Sequence, residues 1–240
     1  MKIALIGTGQ MGSMVESLAR QKGHEISVAI DETSGALSAS ALAQKIDSCD
    51  VAIDFSTGTA VRRNVGACMT AGVALVEGTT GWVENFDEVK AVVERYDGSF
   101  VYGANFSIGV NLFYRIVDHA SELFTRFPEY EVFIEEQHHS RKKDAPSGTA
   151  LKLKEIVERH VDREFSVAST RAGNIPGTHR VGFDGPADQI LLEHTARSRE
   201  GFAAGALLAA EWIADRKGFY EFSDVVEGIL KPQMDTDGHR

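Results

Sequence analysis

Residues 3–12 read Ile3-Ala4-Leu5-Ile6-Gly7-Thr8-Gly9-Gln10-Met11-Gly12, a short apolar run that breaks into three glycines. Their spacing is G-x-G-x-x-G, and residues 11–21 continue as a helical pattern with Gly23 just past its end. A strand that turns through glycines into a helix is the opening of a βαβ unit. The first glycine permits the tight turn, the second lets a ligand approach the backbone, and the third lets helix and strand pack closely. The helix start then offers unpaired N–H groups and the positive end of its dipole to phosphates. A structural turn would use the same glycines, but an acid follows in the right place. Asp31 ends the next strand, 25–30, nineteen residues after Gly12, where a carboxylate accepts hydrogen bonds from a ribose. The pattern predicts a dinucleotide held by Gly7, Thr8, Gly9, Gln10, Met11, Gly12 and Asp31. Glu32 follows with no Arg or Lys beside it. Two acids repel a 2′-phosphate, so NADH is the expected cofactor in preference to NADPH.

Strand signals recur at 51–55, 74–77 and 100–102, with helical patterns at 60–70 and 86–95 between them. Such alternation predicts a parallel, doubly wound sheet of the Rossmann type. Gly78-Thr79-Thr80-Gly81 and Gly103-Ala104-Asn105-Phe106 directly follow two of these strands, at the edge where ligands collect in such sheets. Taken alone, either loop reads first as a plain connection.

After Asn105 the texture changes. A long amphipathic helix is predicted at 108–127 and a strand at 130–136. A helix follows from about 147 to 160, then strands near 165–170, 179–183 and 189–196. Asp184-Gly185-Pro186 supplies the turn between the last two. Helices at 201–213 and 223–230 close the chain, and 235–240 is a polar tail. The fold class is therefore α/β. Residues 1–105 form a dinucleotide domain, completed by C-terminal helices from about 215 to 240. Residues 106–214 form an α+β domain with a mixed sheet.

The formal net charge of −10 argues against nucleic acid as a partner. No apolar stretch reaches the length of a membrane span, and the apolar start is too short for a signal peptide. Cys49 and Cys68 match no metal or redox spacing and cannot staple a secreted fold. The expected location is the cytoplasm.

The segment 136–150 carries the most chemistry. Two histidines, three basic residues and one acid fall within seven positions, His138 to Asp144. Pro146 pre-sets entry to the following helix, and Ser147 and Thr149 are typical of a helix start. The basic cluster and the helix dipole favour a small anion, and a carboxylate suits an acidic protein better than a polyanion. Histidine is the usual proton donor near neutral pH, and lysine supplies charge or a proton. The histidines are adjacent rather than four apart, with no cysteine near, so no metal is expected. From chemistry alone the segment also reads as a solvated basic loop capped by a helix start.

Glu136 to Ala150 fits the pattern E-x-H-H-x-x-K-x-D-A-P-S-G-T-A at every fixed position, and so resembles the 4-hydroxy-tetrahydrodipicolinate (dihydrodipicolinate) reductase family. The likeness extends through Gly78-Thr79-Thr80-Gly81, residues 104–111, Ile175-Pro176-Gly177-Thr178-His179, Arg199 and residues 202–206. It implies NAD(P)H-dependent reduction of a cyclic imine dicarboxylate in lysine and diaminopimelate biosynthesis. It further implies that His138 donates and accepts a proton and that Lys142 is a second donor, with Asp144 fixing that register over Lys143. His139 resembles a substrate contact. Gly148 and Thr149 resemble the carboxylate grip, with Ser147 beside them. Gly78, Thr79 and Thr80, and Gly103 to Phe106, resemble loops at the nicotinamide end. A homotetramer joined through the second domain's sheet is implied too, as are hinges near Asn105 and residue 214.

The chain departs from the pattern in one place. Many members have one more residue in the glycine turn and a basic residue within it. Here Gln10-Met11 stands instead, which leaves the phosphates to backbone N–H groups. Connections between Asp31 and Asp50 are expected to be trimmed. Two other functions fit the glycine turn: a Rossmann dehydrogenase acting on a semialdehyde or hydroxy acid, and a non-catalytic dinucleotide sensor. Turnover of the cyclic imine separates the first, and the intact His138 and Lys142 argue against the second.

Overall fold

The computed structural model describes residues 1–31 and 37–231. Glu32 and the tail at 235–240 lie outside the described residues. The chain divides into two units, residues 1–108 with 202–240 and residues 109–201.

The first unit is a six-stranded sheet. Its strands are β1 (Lys2–Ile6), β2 (Glu25–Ile30), β3 (Val51–Asp54), β4 (Ala74–Glu77), β5 (Ser99–Tyr102) and β10 (Gly218–Glu221). They run in the order β2-β1-β3-β4-β5-β10, and every pairing is parallel. Helices cover both faces, which explains why the inner strands β1, β3, β4 and β5 read as nearly unbroken apolar runs. On one face Ile3, Leu5, Val51 and Ile53 pack against α1 (Gln10–Gln21), α7 (Glu200–Ile213) and α8 (Phe222–Leu230). On the other, Ala4, Ile6, Ala52 and Leu75 pack against α2 (Ala39–Ile46), α3 (Val61–Ala71) and α4 (Phe86–Arg95). The alternation along β1 is the pleat at work: successive side chains leave on opposite sides.

Three features differ from the sequence expectation. Helix α2 lies within the stretch expected only to be trimmed, capped by Ser38, whose hydroxyl accepts the Ala41 N–H at 3.2 Å. Strand β10 was not anticipated, because four residues are too few to show a period. Helix α7 belongs to the first unit, which the chain rejoins at Phe202 rather than near residue 214. Seven of its residues are buried, six of them in the core under β1 and β3. Gly205 lets it come close: a Cβ there would lie 1.7 Å from the Phe106 carbonyl oxygen.

The second unit holds a four-stranded mixed sheet in the order β7-β6-β8-β9. These are β6 (Glu131–His138), β7 (Ser166–Arg171), β8 (Thr178–Asp184) and β9 (Gln189–Thr195). β6 runs parallel to β7 and antiparallel to β8, and β8 is antiparallel to β9. Helices α5 (Ile108–Phe124) and α6 (Gly148–Glu158) bury Phe113, Val117, Leu153 and Val157 against Val132, Ile134, Val181 and Phe183. Helix α5 stops short of the expected 127, and Pro128 limits its extension.

One polar pair breaks the apolar core of the first unit. Asp54 and Glu77 are register partners at the ends of β3 and β4, and both are fully buried. Asn64 Nδ2 donates to Asp54 at 2.6 Å, the Ser56 N–H donates to it at 2.9 Å, and the Thr79 N–H donates to Glu77 at 2.8 Å. Burial, reinforced by the charge of Asp54, pushes the Glu77 carboxyl well above the usual range, and burial raises Asp54 too. A carboxyl with a raised folded pKa stabilises the protein below its unfolded pKa, about 4.3. That contribution disappears as pH rises through the folded value. Glu77→Gln keeps an acceptor for Thr79 and sets a donor toward Asp54. Its melting temperature is expected to exceed wild type by about 2–4 °C at pH 8, a gain that shrinks toward pH 4 in thermal unfolding scans.

Candidate active site

The glycine turn leaves the carboxyl end of β1, where the sheet order reverses between β2 and β3. In open parallel sheets this switch point is where ligands bind. Gly7 has φ +90° and donates its N–H to the Ile30 carbonyl at 2.8 Å. A Cβ on Gly7 would sit 2.4 Å from the Phe55 carbonyl oxygen, and one on Gly12 would sit 2.0 Å from the Gly7 carbonyl oxygen. A Cβ on Gly9 would meet nothing within 4 Å. The outer glycines are therefore packing requirements, while the middle one faces open space. Gly9 also caps α1, with no side-chain hydrogen bond at the cap and no acid in the first turn. Thr8, Gly9 and Gln10 are exposed, Met11 is half-buried against the core, and Asp31 is half-buried after β2. A helix start with this shape and polarity fits a pyrophosphate.

The other two loops leave the same edge of the sheet. Thr79 is buried: its hydroxyl accepts the Ser56 N–H at 3.1 Å, and its carbonyl accepts Trp82 Nε1–H at 2.9 Å. Gly78 lies against the Phe55 ring, and Thr80 is exposed. In the third loop Gly103 packs on Phe222, Ala104 is exposed, and Asn105 Oδ1 accepts the Ser107 N–H at 2.8 Å. The Phe106 ring is committed to the core against Phe222, so that residue anchors its loop through burial. Ser56, in the loop after β3, was not anticipated; only the topology places it here.

The histidine-lysine segment begins inside the second unit's sheet. Along β6, Val132, Ile134, Glu136 and His138 are buried in strict alternation. The first two feed the core, and the last two carry its face into polar chemistry. Glu136 accepts from Arg171 Nη2 at 2.6 Å and from the Ser147 N–H at 3.3 Å, and its other oxygen pairs with His138 Nδ1. Against the cost of burial, the bonds from Arg171 and His138 bring the Glu136 carboxyl down to about 2. Burial lowers His138, and the Glu136 carboxylate partly offsets it. The His179 ring stands edge-on to His138 at 5.1 Å between centroids, and burial lowers it to about 4.

Lys142 Nζ is 2.9 Å from Asp144 Oδ1, a pair that lowers the Asp144 carboxyl. His139 is half-buried, and its Nδ1 meets no partner among the described residues. Ser147 caps α6 by accepting the Ala150 N–H at 3.2 Å, and its hydroxyl also meets His179 Nε2 at 3.1 Å. That side chain is buried and fully engaged, whereas Gly148 is exposed and Thr149 half-buried in the first turn. Ligand atoms of Glu136, His138 and His179 lie within 4.8 Å of one another, close enough to hold a metal ion. Glu136 and His138 already satisfy each other, however, and Arg171 supplies the positive charge an ion would bring. The group reads as a hydrogen-bond relay. Arg171 and His179 had no assigned role in the sequence, since strand partners far along the chain leave no local signal. Glu136 did leave one: it shares a strand face with His138 two residues on.

Two family models match, described as "Dihydrodipicolinate reductase, N-terminus" over residues 1–106 and "Dihydrodipicolinate reductase, C-terminus" over residues 109–226. The chain is 34% identical over 247 residues to 4-hydroxy-tetrahydrodipicolinate reductase of Christiangramia forsetii, covering 96% of this chain and 100% of the relative. It is 35% identical over 263 residues to the enzyme of that name from Archaeoglobus fulgidus, covering 95% and 100%. Among solved structures, dipicolinate-bound dihydrodipicolinate reductase from Paenisporosarcina sp. TG-14 shares the fold, with TM-score 0.76 at 22% identity over 93% of this chain and 99% of that one. The chain belongs to the dihydrodipicolinate reductase family, with its glycine turn in the N-terminal match and its Glu136–His138–Lys142 cluster in the C-terminal match.

Proposed function

We propose that this protein reduces 4-hydroxy-tetrahydrodipicolinate, a six-membered cyclic imine with two carboxylates, to tetrahydrodipicolinate on the route to diaminopimelate and lysine. The observation that carries the proposal is the buried histidine at the end of β6, paired to a carboxylate, four residues before a lysine and next to a helix start. Basic side chains and the α6 dipole stabilise the substrate's carboxylates. His139, Gly148 and Thr149 contact them. His138 and Lys142 supply the proton that the ring takes up as it is reduced. A reduced nicotinamide supplies the hydride when bound. Gly7 to Gly12, Asp31, Gly78 to Thr80 and Gly103 to Phe106 hold and orient that cofactor, and we assign the first unit to this task. The second unit takes the substrate, and the relative from Paenisporosarcina is bound to a dicarboxylate, dipicolinate.

We further propose a homotetramer in the cytoplasm. Among the described residues no helix is long and apolar enough to cross a membrane. The face of the second unit's sheet opposite α5 and α6 carries Phe133, Gly182 and Leu191 in register, with Leu191 46% exposed. An apolar strip on a sheet face is suited to a subunit interface.

Five outcomes are expected. Adding the product of the preceding synthase oxidises NADH in the presence of the protein, and no turnover with that substrate would sink the proposal. His138→Gln and Lys142→Ala each lose about 10²–10⁴ in kcat while the melting temperature holds, as steady-state assays and thermal scans will read. Catalytic efficiency is higher with NADH than with NADPH. Gly9→Ala weakens NADH binding at least about tenfold in calorimetry without lowering stability, since its methyl enters open space in the protein that the pyrophosphate needs. Sedimentation velocity shows a tetramer for wild type and a smaller species for Leu191→Lys.

A further inference from the structure

Glu136 is costly where it stands. Its side chain is wholly buried, and a buried carboxylate is tolerated only when paired. Arg171 provides that pairing through Nη2 at 2.6 Å, and the Ser147 N–H adds a second donor to the same oxygen. The carboxylate is thereby held ionised and fixed in rotation, with its remaining oxygen on His138 Nδ1. An ionised carboxylate can only accept, so Nδ1 carries the hydrogen. The opposite nitrogen, Nε2, faces Gly177, which has φ +138° and no side chain. A Cβ at Gly177 would stand 3.1 Å from Nε2, so the glycine keeps that approach clear.

We infer that Glu136, anchored by Arg171, is a positioning residue that fixes the ring and tautomer of His138, leaving Nε2 as the nitrogen that exchanges a proton with the substrate. This rests on the reading of His138 as the proton-transfer group. The groups facing His138 explain why a carboxylate is required. Burial, Arg171 from β7 and Lys142 from the loop after β6 all disfavour a charged imidazole. Glu136 is the negative group set against them, so it stabilises the imidazolium when the proton is held.

Two measurements test the inference. In histidine-labelled wild-type protein, ring nitrogen shifts at neutral pH are expected to show the Nδ1–H tautomer for His138, assigned by its absence in His138→Gln. An Nε2–H tautomer overturns the inference, and this reading needs no variant of Glu136 to fold. In kinetics, Glu136→Gln is expected to lose about 10- to 100-fold in kcat with KM within about twofold. The alkaline limb of its pH profile, where His138 gives up the proton it must deliver, moves to lower pH. In the His138→Gln background the same change costs no more than about twofold, because Glu136 acts through the ring. Equal losses in both backgrounds indicate a merely structural role and overturn the inference. If His138→Gln is slow but Glu136→Gln is fast with an unmoved profile, the inference alone fails. If His138→Gln itself turns over at the wild-type rate, the proton-transfer assignment fails and takes this inference with it.

Discussion

The first unit depends on two backbone approaches that tolerate no side chain. Gly7 passes under the Phe55 carbonyl, and Gly12 passes under the carbonyl of Gly7 itself. The first contact locks the end of β1 to the end of β3 at the place where the sheet order reverses. The second draws the start of α1 closely onto the end of β1. Three loops then emerge from one edge because all the strands run the same way. The order of constraint is from backbone to helix to ligand site, and side chains enter only at the last stage.

Much of this was legible beforehand. The strand-glycine-helix signal located β1 and α1, and apolar runs located β3 to β5, because a strand buried on both faces has nothing to alternate. Helix α7 shows the limit. Residues 203–210 are mostly alanine, glycine and leucine, a composition that fits a helix in either unit. What assigns it is Gly205 against Phe106, a contact between residues about a hundred positions apart. Strand β10 was hidden for a related reason. A four-residue edge strand beside Arg216 and Lys217 shows no period, and only its pairing with β5 defines it.

The site divides in the same way. His138, His139 and Lys142 stood out because titratable residues cluster along the chain, and the family pattern then gave them roles. Glu136 was in plain view as part of that pattern, yet its meaning comes from β6 ending with two inward polar residues. Arg171 and His179 come from neighbouring strands and had no role to assign until the register of β6 with β7 and β8 was known. Ser147 shows a role the sequence also signalled: its hydroxyl caps α6 on Ala150 and meets His179.

The split of the first unit across the chain also governs the order in which the protein can form. The apolar face of β1 and β3 is covered in part by α7, and the sheet's far edge is closed by β10, both encoded after the whole second unit. On the ribosome, the residues that will pack against α7 wait uncovered while about a hundred more residues are made, on the order of ten seconds at ordinary synthesis rates. The second unit, continuous in sequence, emerges complete before the first can close. A nascent chain of this architecture exposes its dinucleotide sheet for longest, so its exposure to aggregation and to chaperones is concentrated there.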